Sequence, residues 1–243
     1  MTRRPLLRSL AVAAAGVLAV AGCGSDLLPG LSGSGTVVQS SVEVDQITAL
    51  TVGSAFDVTL QIGDAPTVVL RADDNVVDLI SITQQDGGLV LGVDTAVADA
   101  TLEAQVTVDP STLTRVELDG AATLTGTETL DVPALTLSTL GASRAFVVLD
   151  VDELDVTAAG ASVVNASGTV DALTAVADGA STLRLDQLTA GTADVRAAGS
   201  STVEVLVSER LDAQADGAST IGYAGDPAVL ERSTSGASSV VPR

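Results

Sequence analysis

From about residue 109 onward, apolar and polar side chains alternate with a period of two, and a glycine interrupts the alternation at nearly constant intervals. The glycines are Gly120, Gly141, Gly160, Gly179, Gly199, Gly217 and Gly236, spaced 21, 19, 19, 20, 18 and 19 residues apart. Two positions after each comes a small residue: Ala122 first, then Ser143, Ser162, Ser181, Ser201, Ser219 and Ser238. Four positions after come Leu124, Ala145, Val164, Leu183, Val203, Ile221 and Val240, and ahead of the glycines stand Leu154, Val156, Ala158 and Leu173, Ala175, Ala177. Odd offsets carry Asp155, Thr157, Thr174, Asp178, Thr182, Arg184, Asp194, Arg196 and Glu204. One face of each segment is therefore built for an interior and the other for water, which is the periodicity of a strand. A strand signal returning every ~19 residues predicts an all-β solenoid whose coils pair in parallel with those above and below.

The Ala, Gly and Ser at the interior offsets predict a thin coil with closely approaching sheets, the serines hydrogen-bonding along the stack. Glycine marks the bend, where a Cβ would crowd the next coil. A β-sandwich is the rival fold, but its strands need not repeat one residue type at one offset through seven copies. Helical repeats fail, because the apolar period is two and Thr, Val, Asp and Gly are poor helix formers. Residues 37–241 are read as one domain, with 109–241 forming the regular Gly-Ala-Ser repeats and 37–108 the opening coils and a cap. Within the opening part, strands are expected at 56–62 and 67–71 and a short helical turn at 75–80. Pro227 interrupts the last spacing, and Pro242 removes a backbone donor just past the final copy.

The start of the chain has a different pattern. Arg3, Arg4 and Arg8 precede an apolar run from Leu10 to Ala21, too short to span a bilayer and suited to the core of a secretory leader. The run closes in Val20-Ala21-Gly22-Cys23, which resembles a lipobox. Residues 1–22 are thus expected to be removed as a signal peptide and Cys23, the sole cysteine, to be acylated and held in a membrane. The stretch TRRPLLR leaves twin-arginine export open beside the default Sec route. Residues 23–36 form the lipidated cysteine and a Gly/Ser-rich flexible linker. The expected location is the outer face of the cell membrane, in the envelope, with the membrane as partner through lipid.

Charge and composition narrow the chemistry. Beyond the leader stand eight arginines against 31 carboxylates, a balance of −23, which makes nucleic acid an improbable ligand. Only Phe56, Phe146 and Tyr223 are aromatic, so a core of large rings is excluded. There is no histidine, and the one cysteine is assigned to lipid, which leaves neither a nucleophile triad nor a zinc site and no cofactor. Asp73, Asp74, Asp150 and Asp152 could serve a carbohydrate-active enzyme, but solvated turn acids are the better reading, and no enzyme is expected. Asp194 and Asp212 share one outward offset on adjacent coils and are weak candidates for binding Ca²⁺.

The segment ITALTVGSAFDVTLQIGDAPTVVLRADDNVVDLI, the later LTRVELDGAATLTG and the recurring Gly-Ala-Ser copies resemble the auto-transporter adhesin head GIN domain family, over roughly residues 37–240. The resemblance implies a right-handed parallel β-helix and an adhesin-like module, and it brings no catalytic residues. Two functions are therefore expected: capture of an envelope protein or glycan, or a structural spacer whose repeats set only rigidity and reach. A carbohydrate-active enzyme ranks third.

Overall fold

The computed structural model of the chain describes residues 30–93 and 95–243. The leader and Cys23 lie outside the described residues, as does the first half of the linker. In chain order the first strands are β1 (Leu31–Ser32), β2 (Val37–Glu43), β3 (Ala49–Val52), β4 (Asp57–Ile62), β5 (Thr67–Asp73), β6 (Ile80–Gln85), β7 (Gly88–Val93), β8 (Val97–Ala98) and β9 (Leu102–Val108). A single 3-10 turn at Val77–Leu79 separates β5 from β6. The regular part contains β10 (Arg115–Leu118), β11 (Thr123–Thr139), β12 (Arg144–Ala158), β13 (Val163–Ala177), β14 (Thr182–Ala197) and β15 (Thr202–Ala215). The chain closes with β16 (Thr220–Ala224), β17 (Val229–Thr234) and β18 (Ser239–Pro242).

From β10 to the end every pairing is parallel, and the protein is a parallel β-helix. Between β12 and β13 the register holds at 19 residues, from Arg144 opposite Val163 to Ala158 opposite Ala177. Alternate residues of β12 are buried until Asp152 and Glu153, two exposed neighbours that carry the chain round a corner before alternation resumes at Leu154. Coils of other lengths fit because bulges absorb the difference, between Thr125 and Thr129 in β11 and between Leu185 and Thr189 in the β14–β15 pairing.

The turns between long strands continue the ladder. All seven repeat glycines have φ between +71° and +83°, and in six consecutive turns the next residue's N–H donates to the preceding coil's glycine carbonyl at 2.7 Å. A Cβ built on Gly160 would stand 2.6 Å from the Gly141 carbonyl oxygen, so both the backbone angle and the approach of the next coil demand glycine. The interior is wider than the Ala, Gly and Ser offsets imply. The small residues crowd the corner by the turn, while Leu149, Leu154, Leu173, Leu188 and Leu211 are buried farther round the coil. Each such leucine contributes about 1.5–3 kcal/mol of hydrophobic stabilisation, so stacked aliphatic columns replace the missing aromatic core.

The opening part does not stack in chain order. The coil formed by β3 and β4 has β10 and β11 on one side, with Ala49 opposite Arg115 and Asp57 opposite Thr123. On its other side lie β7 and β9, with Ala49 opposite Gly88 and Asp57 opposite Glu103. Antiparallel strands then close this end: β6 pairs β7, and β5 pairs β9 and β2. A two-residue turn at Asp86 and Gly87, with φ of +51° and +82°, joins β6 to β7. At the far end β17 and β18 each pair with one neighbour, and the exposed Arg232 and Thr234 stand opposite the buried Ala213 and Ala215. Polar side chains at inward positions make that edge a poor template for further strands.

Candidate functional site

The outer surface of the coils consists of columns in which like positions recur at the inter-strand spacing of about 4.8 Å. On the face built from β4, β9 and the first halves of β11–β15, one column contains the successive neighbours Thr182, Thr202 and Thr220. The next runs through Thr125, Phe146, Asn165, Arg184 and Glu204. Near the capped end this face is concave, forming a groove of about 480 Å³ lined by Gln39, Asp57, Thr59, Arg71, Glu103 and Gln105. Arg71 and Glu103 form an ion pair there at 2.7 Å, both about half exposed, an arrangement that orders the groove more than it stabilises the fold.

Phe146 is the aromatic residue that sequence reasoning passed over. Phe56 and Tyr223 are buried, whereas Phe146 is 38% exposed beside the similarly exposed Val148. The signal was its parity: it stands five residues after Gly141, an odd and therefore outward offset. It borders a groove of about 380 Å³ with Gly126 at one side and Asn165, Arg184 and Gln187 at the other.

The serines after the glycines are built into the corner. Ser162 Oγ–H faces two acceptors, the carbonyl of Ala159 in its own turn at 2.8 Å and that of Thr139 in the preceding coil at 3.0 Å. Ser181, Ser201, Ser219 and Ser238 repeat this shared bond, and Ser143 repeats it with a longer inter-coil contact of 3.4 Å. Thus the serines bond backbone carbonyls along the stack and not one another. At three turns an aspartate precedes the glycine and accepts its N–H at 2.7 Å, namely Asp119, Asp178 and Asp216. The Ser235 hydroxyl and then the Gly217 N–H hold the Asp216 carboxyl below the ordinary aspartate value. Asp109 is lowered in the same direction by the hydroxyl and N–H of Ser111.

The carboxylates considered for catalysis are not brought together as one cluster. Asp73 is buried and accepts the N–H groups of Gly35 and Thr101, each at 2.7 Å, tying the incoming chain to the cap. Asp74 accepts from the Ser34 hydroxyl. Asp150 accepts from Thr169 Oγ1 on the next coil at 2.6 Å, and Asp152 marks an exposed corner. Asp194 and Asp212 are register partners, as their common offset requires. Asp194 Oδ2 pairs with Arg196 at 3.3 Å and its Oδ1 has no partner, while Asp212 accepts from Gln214 at 3.4 Å. Among the described residues no three His, Cys, Asp or Glu side chains converge on a common point, and no helix is long and apolar enough to cross a membrane.

A capped parallel β-helix with polar columns on its outer faces defines the class. The chain belongs to the family described as "putative auto-transporter adhesin, head GIN domain", whose profile matches residues 46–227. Among solved structures, an adhesin so described from Bacteroides fragilis is similar with a TM-score of 0.82 at 18% identity, over 88% of this chain and all of that one. One from Parabacteroides merdae gives 0.71 at 17% identity, over 88% and 98% of the two chains. A protein from Parabacteroides distasonis, described as lipid binding, gives 0.71 at 18% identity over 88% and 99%. At such identities the likeness establishes the fold. No curated protein matches the chain.

Proposed function

We propose that this protein is an envelope lipoprotein whose β-helix is an adhesin-like binding module without catalytic activity. Acylation of Cys23 holds it at the outer face of the cell membrane with the capped end of the solenoid toward the surface, because the second half of the expected linker is docked on the cap through the Leu31–Ser32 pairing with β8 and the Gly35–Asp73 bond. The observation that carries the reading is the long parallel sheet face with its regular columns of Thr, Asn, Arg and Glu and two grooves. Such a face offers hydrogen-bonding groups at fixed spacing on a rigid support, which favours capture of an extended ligand. Membership of an adhesin family supports the same reading.

Two measurements test it. In cells, the native protein is expected to incorporate labelled palmitate and fractionate with membranes, and Cys23→Ser to do neither. Vesicles bearing the lipidated protein are expected to adhere to immobilised envelope proteins or glycans, whereas bare vesicles should not. Vesicles that adhere to nothing would favour a spacer whose repeats set only reach.

A further inference from the structure

Phe146 is the one aromatic residue exposed on this surface, beside the exposed Val148. The chain holds two Phe, one Tyr and no Trp. Two of these three rings are spent on burial, and the third lies outward on a rigid parallel sheet, in a column otherwise filled by Thr125, Asn165, Arg184 and Glu204. Strand pairing fixes the neighbours: Asn165 lies one coil away, at about 4.8 Å, and Arg184 two coils away, at about 10 Å. Opposite Ser167 on the adjoining strand stands Gln187, which with Asp186 completes the groove of about 380 Å³. The groove is shallow and open along the sheet, a shape that suits a ligand lying across the strands.

We propose that this groove is a saccharide-binding site in which Phe146 is the stacking platform, an inference that rests on the adhesin-like reading and names its ligand class. The apolar face of a pyranose ring is a slab of C–H groups, and a half-exposed phenyl ring fixed on a sheet buries that slab at little conformational cost. Around the slab lie vicinal hydroxyls, each both donor and acceptor. The amides of Asn165 and Gln187, the Arg184 guanidinium and the Asp186 carboxylate provide both kinds of partner. Arg184 takes part in none of the three ion pairs among the described residues, so its fork is free to bond a ligand.

Charge selects among sugars. Arg184 and Asp186 cancel within the groove, and the chain as a whole carries −20, so its field repels acidic polymers. The ligand class is therefore a neutral saccharide, and the column's continuation through Thr125 and Thr59 toward the second groove suits a chain of several units lying along the solenoid axis.

The absence of tryptophan makes the test direct. In the mature lipidated protein in detergent micelles, Phe146→Trp places the sole tryptophan on the platform, excited selectively over Tyr223. Neutral hexasaccharides of glucose, mannose and N-acetylglucosamine are titrated against it, with polygalacturonate as the acidic comparison. At least one neutral hexasaccharide is expected to shift the emission saturably, and polygalacturonate is not. Calorimetry of the unmodified protein with that same sugar should show binding, weakened roughly tenfold or more by Phe146→Ala and several-fold by Arg184→Ala. Arg184→Ala, an exposed change, should leave the melting temperature as in the parent, and Phe146→Ala should melt cooperatively at a somewhat lower temperature with the parent's circular dichroism at the assay temperature, which separates lost contact from lost fold. The inference is overturned if no neutral hexasaccharide binds, if only polygalacturonate binds, or if Phe146→Ala binds as the parent does. In those cases, vesicle adhesion that persists leaves the broader binding role standing, and adhesion that is also absent removes both.

Discussion

Gly160 shows how closely the repeat is specified by single residues. Its φ of +83° costs an L-residue about 1–2 kcal/mol, and a Cβ there would meet the Gly141 carbonyl at 2.6 Å, an atom of backbone that cannot move without disturbing the ladder. Gly160→Ala is therefore expected to destabilise by at least about 2 kcal/mol, seen as a fall in Tm of roughly 4–8 °C for a domain of this size. The corresponding site in the β3–β4 coil holds Ser54 at φ +63°, whose carbonyl accepts the Ala121 N–H at 2.7 Å. The residue type varies there while the bond persists. Asp216 adds a pH dependence. Its pKa is lowered in the folded state, so its bonds to Ser235 and Gly217 stabilise the fold above the ordinary aspartate range, and that contribution is lost as pH falls through the lowered value. Ser235→Ala should raise the Asp216 midpoint in an NMR titration. The Tm difference between variant and parent should be present at neutral pH and vanish in acid.

At the level of the element, the coil is the unit of stability, since each touches mainly its two neighbours. Deleting residues 161–179 joins Gly160 to Ala180 in the original phase and should give a folded protein one coil shorter. Its urea m-value should be reduced in keeping with the smaller surface. Deleting nine residues, 162–170, removes about half a coil, so the downstream strands cannot keep both their inward–outward parity and their place in the stack, and folding should fail, as circular dichroism would report. The same parity made β11–β15 legible in the sequence: each glycine marked a turn and each even offset an interior position. The width of the interior was less legible, because the leucines that set it, such as Leu149 and Leu154, lie away from the glycine, where small residues dominate. The layer order at the start was not legible at all. β7 and β9 stack against β3 and β4 across 39 and 46 residues of chain, and no local pattern records which side of a coil a later strand will take. The Asp86–Gly87 hairpin was a readable signal that the longer repeat overshadowed. For the candidate site, the outward position of Phe146 was written in the alternation, but its grouping with Asn165, Arg184 and Gln187 depended on a register that only the stacked coils supply.

As a whole, the described residues form a stack of coils closed at one end by antiparallel strands and blunted at the other by Arg232 and Thr234. Its rigidity derives from the backbone ladder that runs through both strands and turns, and the proposed binding role depends on the columns this ladder creates. Spin labels report that geometry directly. In a Cys23→Ser background, whose introduced thiols are unique, pairs placed at Arg144 and Thr182, Arg144 and Thr220, or Arg144 and Ser239 span two, four and five coil steps along one outward column. Continuous-wave and pulsed electron paramagnetic resonance should give backbone separations of about 10, 19 and 24 Å, rising by ~4.8 Å for each coil crossed. Separations that do not grow in proportion to the number of coils would contradict the stack, and with it the columns from which the proposed site is built.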